Sequence, residues 1–322
     1  MTWSAGIVAG LLVLGVATAP AVHAEAGSCA AISNAGGTVR LNVEQVDAAG
    51  TSIAWASVGS GPALLLLNGT GSPMAEWDPA LIAGLAKDRR VLVFDYPGLG
   101  GSGPAPSRIT FSAMADWTAE LIDALGLDRP DVLGWSMGGF IAQQLAIRHP
   151  DAVRRLVLAG TNPGGRHAVL GPDWVQQADS DANGSIDTYL KTNYPATACA
   201  QQAGREFVRR LTRAVNSGRY PDESTPARTY NAMVRAEDLW LARSANEQDL
   251  ATITAQTLVV TGDSDVITPP ANSRVIADRI PDATLRLVVG AGHSFLFQQP
   301  ARVARMVLDF LLDARPRGSA RT

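Results

Sequence analysis

The chain has 322 residues, of which 46% are hydrophobic and 18% are charged, and its formal net charge is −3. This balance is typical of a globular protein, and the length suffices for one large domain or one domain with an inserted lobe. There is no basic excess of the kind that nucleic-acid binding requires, so we do not expect a nucleic acid as a partner.

The N-terminal segment differs in composition from the rest of the chain. Residues 5–19 are small and apolar, Pro20 ends the run, and small residues follow in the spacing of a cleavage site. We therefore expect a secretory signal peptide over 1–24, or as far as residue 28, with export or a cell-envelope location and no stable membrane insertion after cleavage. Two alternatives are an uncleaved anchor, although the run is short for a span, and lipid attachment at Cys29.

Cys29 and Cys199 are the only cysteines in the sequence. In an exported protein a disulfide between them is the favoured interpretation, and it would tie the mature N-terminus to a distant segment. Two unpaired thiols are the alternative, because the sequence does not decide between the two states.

Predicted strands and helices alternate after a linker over 25–37. Residues 38–46 and 52–58 alternate apolar and polar side chains, which predicts an antiparallel hairpin. Continuous apolar runs, typical of strands covered on both faces, follow at 63–67, 91–94, 130–133, 155–159, 257–261 and 284–289. Helical patterns occupy 77–86, 111–125, 137–148 and 300–312. The fold class predicted from this alternation is α/β with a mostly parallel, doubly wound sheet.

The alternation stops between about residues 161 and 246, where helical stretches at 186–192, 203–216 and 229–243 are joined by polar loops. We predict a helical cap over 162–249, inserted between core segments 38–161 and 250–313, and a disordered tail over 314–322. Aromatic residues of the cap either shape an apolar pocket or form the core of the lobe itself; they are Trp174, Tyr189, Tyr194, Tyr230 and Trp240.

The stretch Gly134-Trp135-Ser136-Met137-Gly138 lies between a predicted strand and a predicted helix. A serine on such a sharp, strained turn projects above the end of the sheet, and small residues are needed on either side of it. The G-x-S-x-G pattern therefore predicts a nucleophile at Ser136. Alone, the motif is equally compatible with an ordinary Gly-rich turn.

Serine needs a base within hydrogen-bond reach before it becomes nucleophilic at neutral pH. His293 directly follows a predicted buried strand, at the edge where ligands bind in open α/β sheets, so it is the predicted base. The other histidines are weaker candidates: His23 lies in the predicted signal peptide, His149 ends a helix, and His167 lies in a Gly-rich loop that we expect to be solvated.

Two aspartates compete for the role of the acid that orients the base. Asp265 lies three residues after Gly262 and shortly before Pro269, and it is the favoured acid. Asp263 is the reserve, because its position also fits an Asx-type turn. The oxyanion that forms on a carbonyl oxygen needs backbone N–H donors, and we expect them to be Met137 and Thr70.

Together these motifs resemble the α/β-hydrolase superfamily, in the branch of serine esterases, lipases, cofactor-free haloperoxidases, C–C bond hydrolases and proline iminopeptidases. The order Ser136, Asp265, His293 is that of the superfamily's triad. Asp95 to Ser102 matches the D-x-x-G-x-G-x-S stretch of similar members, whereas Asn68-Gly69 replaces their His-Gly pair. The resemblance covers about residues 38–161 and 250–313.

The resemblance implies hydrolysis of an ester or related acyl bond of a small apolar substrate through an acyl-enzyme, without a cofactor. Cleavage of a C–C bond, or perhydrolase and haloperoxidase-type activity on the same triad, is an alternative. A non-catalytic ligand-binding protein with this fold is the alternative from a different class, and the intact set of Ser136, Asp265 and His293 argues against it.

One motif suggests a metal site at first sight. Residues 179–187 resemble the first nine positions of an EF-hand loop, but Leu190 stands where a bidentate glutamate is required. We therefore expect no metal site here and a polar loop that caps a helix beginning near Ile186.

Overall fold

The computed structural model describes residues 39–180 and 185–312. Within these ranges the chain forms an eight-stranded sheet. Its strands, in chain order, are β1 (Glu44–Ala48), β2 (Thr51–Val58), β3 (Ala63–Leu67), β4 (Arg90–Phe94), β5 (Asp131–Trp135), β6 (Arg155–Ala159), β7 (Gln256–Gly262) and β8 (Ala283–Val288). The predicted signal peptide, linker and C-terminal tail lie outside the described residues.

The strands lie in the order β1-β2-β4-β3-β5-β6-β7-β8. The β1–β2 and β2–β4 pairs are antiparallel, and every pair from β4–β3 to β7–β8 is parallel. The predicted mostly parallel sheet is therefore confirmed. Parallel strands point their carboxyl ends to one edge, so the loops that follow β3, β5, β7 and β8 are gathered there.

The predicted hairpin begins later than the alternating pattern indicated. β1 starts at Glu44, and residues 39–43 are not in a strand. Val39 and Leu41 are buried, and the N–H of Leu41 donates to Arg219 O at 2.9 Å. The alternating residues before Glu44 thus pack against a segment far along the chain instead of extending the hairpin.

Helices cover the sheet on both sides. They are α1 (Pro79–Leu85), α2 (Phe111–Ala124), α3 (Met137–Arg148), α4 (Asp173–Ser180), α5 (Ile186–Asn193), α6 (Ala198–Asn216), α7 (Ala227–Ala242), α8 (Ala245–Asp249), α9 (Pro270–Arg279), α10 (Phe295–Gln298) and α11 (Pro300–Leu312). In β3, Leu64 and Leu66 belong to one apolar cluster, and Leu65 and Leu67 belong to the other. Burial on both faces explains why the central strands are continuous apolar runs.

Helices α4 to α8 lie between β6 and β7, in the segment predicted as the cap. A buried, bidentate ion pair joins this segment to the core: Arg210 Nε and Nη2 lie 2.9 and 2.6 Å from the two carboxylate oxygens of Asp78. Asp78 also accepts the N–H of Ala80 at 2.9 Å, so the same carboxylate caps α1.

The inserted segment also contains one of the two cysteines. Cys199, near the start of α6, is disulfide-bonded, and Cys29 lies outside the described residues. Across residues 39–180 and 185–312, none of the helices has the length and apolar character that a membrane span requires.

Candidate functional site

Ser136 occupies a strained turn between β5 and α3. Its φ of 55° and ψ of −122° lie outside the regions that most residues adopt. A Cβ added to Gly134 would lie 2.3 Å from Gly138 O, and one added to Gly138 would lie 2.0 Å from Leu67 O. The turn therefore needs glycine at both places, as the motif predicted.

The residues around Ser136 hold the turn in place. The N–H of Ser136 donates to Ala159 O at 3.0 Å, on the neighbouring strand β6, and the N–H of Gly139 donates to Ser136 O at 2.8 Å. Ser136 is half-buried and borders a cavity of about 300 Å³ that His293 also lines. The structure thus brings the predicted nucleophile and the predicted base to one cavity.

His293 forms a close pair with Asp265. Its Nδ1 lies 2.9 Å from Asp265 Oδ2, and both side chains are almost completely buried. A carboxylate only accepts hydrogen bonds, so Nδ1 carries the hydrogen in this contact and Nε2 is the ring nitrogen not bonded to Asp265. A neutral imidazole in this tautomer is suited to take a proton from a hydroxyl group.

The loop after β7 holds the Asp265 carboxylate on both oxygens. Oδ1 accepts the N–H groups of Ile267 and Thr268, each at 2.9 Å. Oδ2 accepts the hydroxyl groups of Thr268 at 2.9 Å and Thr261 at 3.3 Å. Together these hydrogen bonds fix the direction of the carboxylate toward His293.

Thr268 was not among the residues predicted from the sequence. Its hydroxyl oxygen lies 3.2 Å from His293 Nδ1 as well as 2.9 Å from Asp265 Oδ2, so it contacts both members of the pair. The only signal was its position three residues after an aspartate, which also fits a simple turn.

The reserve acid lies elsewhere. Asp263 is exposed, and its Oδ1 accepts the N–H of Gly290 at 2.9 Å and the hydroxyl of Ser264 at 3.0 Å. It therefore ties the end of β7 to the turn after β8. Within the part of the chain that the structure describes, Asp265 and not Asp263 is hydrogen-bonded to His293.

Trp135 and the inserted segment position the His293 loop. Trp135 Nε1 donates to His293 O at 3.2 Å, and the two rings lie 5.4 Å apart. The Tyr189 hydroxyl lies 3.0 Å from Ser294 Oγ, which in turn donates to Asn193 Oδ1 at 2.9 Å. Burial raises the pKa of Tyr189, so this hydroxyl stays neutral and able to donate.

The loop after β3 contains the predicted oxyanion donor Thr70. Asn68, which replaces the usual histidine, donates from Nδ2 to Pro73 O at 2.9 Å and accepts the N–H of Gly69 on Oδ1 at 2.9 Å. Its side chain therefore closes the loop on itself. The N–H of Thr70 has no hydrogen-bond acceptor among residues 39–180 and 185–312, and the N–H of Met137 lies in the first turn of α3.

The Asp95 to Ser102 stretch contacts the segment that follows the β3 loop. Asp95 Oδ1 accepts the N–H of Met74 at 2.7 Å, and Oδ2 accepts the N–H of Gly101 at 2.9 Å. A Cβ on Gly100 would lie 2.2 Å from Asp95 Oδ2, so the motif needs glycine there. Desolvation by burial raises the pKa of Asp95.

Glu223, from the inserted segment, lies against Asp95. Burial and the neighbouring Asp95 carboxyl raise the pKa of Glu223 to about 9. Two adjacent carboxyl groups that are largely removed from water are not both ionised at neutral pH. The sequence contained no signal for this pairing.

The two other histidines among the described residues each contact a carboxylate. His149 Nε2 lies 2.7 Å from Asp116 Oδ1. His167 is exposed, as expected of a solvated loop, but its Nδ1 lies 2.7 Å from Glu247 Oε2, so it is paired and not merely solvated.

The cap aromatics include examples of both predicted roles, and Trp174 has neither. Tyr189, Tyr230 and Trp240 line the cavity, whereas Tyr194 is buried in the apolar core. Trp174 is 42% exposed and lies under the Lys191 ammonium, 4.8 Å from the ring centroid.

The EF-hand-like stretch lies partly outside the described residues, which omit 181–184. Ser185 Oγ accepts the N–H of Thr188 at 3.2 Å, and this hydrogen bond caps α5, which begins at Ile186 as predicted. Among the residues described, there is no group of three or more His, Cys, Asp or Glu side chains that could hold a metal ion.

Comparison with known proteins adds to this geometry. The sequence profile of the alpha/beta hydrolase fold matches residues 62–300. A poly(3-hydroxyalkanoate) depolymerase from Ectopseudomonas oleovorans is 30% identical over 260 residues, which are 79% of this chain and 86% of the depolymerase. A 2-hydroxymuconate semialdehyde hydrolase from Pseudomonas sp. is 30% identical over 267 residues, or 80% of this chain and 89% of that enzyme.

A solved structure gives the same result for the fold. An alpha/beta hydrolase fold protein from Chitinophaga pinensis superposes with a TM-score of 0.76 at 26% identity, and the match covers 88% of this chain and 100% of that protein. The similar proteins are named for different substrates, so the relationship identifies the fold and leaves the substrate open.

Proposed function

Because the chain belongs to the α/β-hydrolase fold family, we propose that it is a serine hydrolase of the carboxylesterase type. Its substrate is a small molecule with an ester or related acyl bond, and its nucleophile is Ser136. His293 is the base, Asp265 is the acid that orients it, and the N–H groups of Thr70 and Met137 stabilise the oxyanion.

The reaction follows from these roles. His293 Nε2 takes the proton of the Ser136 hydroxyl while Oγ attacks the acyl carbon, and the carbonyl oxygen becomes an oxyanion. When the oxyanion collapses, the alcohol leaves with the proton from His293 and the acyl group remains on Ser136. Water, deprotonated by His293, then releases the acid and restores the serine. These steps call for no cofactor.

The observation that carries the proposal is the pair formed by His293 and Asp265 at 2.9 Å, on a cavity that Ser136 also lines. The pair is buried, its tautomer leaves Nε2 as the acceptor, and the serine is held in a strained turn. Strain of this kind persists only where the surrounding structure enforces it, and it is found at functional sites.

The test is turnover of 4-nitrophenyl butyrate by the mature protein and by its Ser136→Ala variant. We expect the variant to lose at least about 10³-fold in kcat, since removal of a triad nucleophile has effects of this size or larger. Its melting temperature and circular dichroism should match those of the wild type. Activity retained by a folded Ser136→Ala variant would refute the proposal.

We also propose that the protein is exported, on the strength of the apolar segment over residues 5–19. Expression of the full chain with fractionation of the cells tests this. A processed N-terminus near residue 25 in the exported fraction supports the proposal, and an unprocessed chain confined to the cytoplasm contradicts it.

A further inference from the structure

A glutamate of the inserted segment contacts the loop that holds the proposed oxyanion donor. Glu237 lies on α7, and its Oε1 accepts a hydrogen bond from the hydroxyl of Thr70. The two residues are 167 positions apart in the sequence, and both are half-buried at the cavity. This hydrogen bond therefore joins the inserted segment to the core beside Ser136.

Two further residues, one just before α7 and one on it, contact the loop that contains Thr70. Thr225 donates its hydroxyl to Gly71 O. A Cβ on Gly71 would lie 2.6 Å from Tyr230 Cδ2, so the ring packs directly on the backbone there. The backbone at Gly71 is thus held by a hydrogen bond and by packing, and the side chain of Thr70 is held by Glu237.

Apart from His293 and two tyrosines, every ionisable side chain that lines the cavity is a carboxyl group. Glu237, Glu76 and Asp238 all line it, and the described residues of its lining include neither lysine nor arginine. In a partly desolvated cleft, a carboxylate attracts a cation and repels an anion more strongly than it would in water. The cavity is therefore arranged to disfavour an anionic substrate.

We propose that Glu237 both positions Thr70 for the reaction and selects substrates by charge, favouring a cationic or neutral substrate over an anionic one. The inference rests on the proposed function, because it assigns Glu237 to the same site. Glu237 has two roles in this proposal. Its hydrogen bond positions Thr70, and its charge determines which substrates are favoured.

The experiment uses two matched substrate series, because the charge can lie in either half of the substrate. The first consists of the 4-nitrophenyl esters of 6-aminohexanoate, heptanoate and adipate, which differ in the charge of the acyl half. The second consists of butyrylthiocholine, 3,3-dimethylbutyl thiobutyrate and S-butyryl-3-mercaptopropionate, which differ in the charge of the leaving group. kcat and KM are measured for each substrate with the mature protein.

Four variants separate the two roles. Glu237→Gln removes the charge but keeps an oxygen that accepts the Thr70 hydroxyl. Thr70→Val removes the hydroxyl but keeps the charge, and Glu237→Ala removes both. Glu120→Gln, on the exposed face of α2, is the matched control for loss of one negative charge.

For the wild type we expect kcat/KM to be at least about tenfold higher for the cationic than for the anionic substrate in one series or both. Glu237→Gln should reduce this ratio about tenfold, and Glu120→Gln should leave it unchanged. Thr70→Val and Glu237→Ala should each lower kcat for the neutral ester about tenfold with little change in KM, because the oxyanion contact acts in the transition state.

A wild-type ratio near one in both series, or a ratio unchanged in Glu237→Gln, would overturn the charge selection. Wild-type kcat in Thr70→Val would overturn the positioning role. In both cases, activity that depends on Ser136 would leave the proposed function intact. Failure of the wild type to exceed Ser136→Ala on every substrate would instead refute the proposed function and this inference with it.

Discussion

The Asp265 carboxylate makes four hydrogen bonds within its own β7 segment and the loop after it, besides its contact with His293. Two of the donors are backbone N–H groups and two are threonine hydroxyls, so the carboxylate is oriented by groups that do not titrate. The proposed acid is in this way fixed before any substrate binds, which is what orientation of a catalytic histidine requires.

Exchange of single aspartates tests this role. Asp265→Asn should lower kcat for 4-nitrophenyl butyrate by about 10³- to 10⁴-fold, because an amide stabilises the wrong histidine tautomer and does not stabilise the imidazolium. Asp263→Asn is the matched control, since Asp263 is exposed and bonded to Gly290 and Ser264. Its kcat should stay within about twofold of the wild type, and a larger loss in Asp263→Asn than in Asp265→Asn would reverse the assignment.

Much of the candidate site could be predicted at the residue scale. Ser136 and His293 follow strands whose carboxyl ends lie at one edge of the parallel sheet, so strand position was sufficient to expect both residues at one cavity. Thr268 and Glu237 could not be predicted, because neither belongs to a motif. Their importance comes from contacts across 25 and 167 residues of sequence, which only the folded chain reveals.

At the scale of elements, one buried ion pair joins three parts of the fold. Arg210 on α6 contacts Asp78 at the start of α1, and its Nη2 also donates to Phe297 O on α10 at 3.2 Å. The carboxylate of Asp78 is completely buried and the Arg210 side chain nearly so. The inserted segment is therefore attached to the core by a pair that water does not screen.

Removal of Arg210 should destabilise the fold strongly. In Arg210→Ala the Asp78 carboxylate is left buried without its partner, and we expect a loss of about 3–5 kcal/mol in the free energy of unfolding. The neighbouring Arg209 pairs with Glu206 at 2.8 Å, but its side chain is 53% exposed. Arg209→Ala should therefore cost less than about 1 kcal/mol.

Urea unfolding of both variants measures the difference, and the activity of the folded fraction shows whether the inserted segment still docks. Equal stabilities for Arg210→Ala and Arg209→Ala would contradict the importance assigned to the buried pair.

The ends of a helix could be predicted from sequence where a residue such as proline marks the same position that the structure shows. The limits of α3 follow from the strained Ser136 before it and from Pro150 after it, and those of α11 from Pro300 at its start. Helix α9 was missed, because Pro269-Pro270 indicates a turn although Pro270 is in fact the first helical residue. Helices α8 and α10 have five and four residues, which is too short for a helical periodicity to be recognised from sequence.

At the scale of the whole molecule, a carboxyl pair between the core and the inserted segment predicts that the stability of the fold depends on pH. Asp95 lies at the end of β4, and Glu223 precedes α7. The pKa of Glu223 is raised from 4.5 to about 9 in the folded protein, so the folded state holds a proton that the unfolded chain releases. Its contribution to stability is complete below pH 4.5 and declines as the pH rises toward 9.

Melting temperatures between pH 5 and pH 9.5 test this dependence. The wild type should lose stability across the interval, and Glu223→Gln should lose less, by roughly 3 °C or more, because glutamine has no proton to release. Glu44→Gln, an exposed site on β1, should follow the wild-type curve. Parallel curves for the wild type and Glu223→Gln would show that the pair does not share a proton.

The central claim is that Ser136 is a nucleophile activated by His293, and covalent labelling tests it most directly. The protein is treated with a fluorophosphonate at neutral pH, and the modified peptide is identified by mass spectrometry. We expect one label per chain on the peptide that contains Ser136, with at least about a hundredfold slower labelling in His293→Ala and none in Ser136→Ala. An unlabelled wild type, or labelling at equal rate in His293→Ala, would contradict the account.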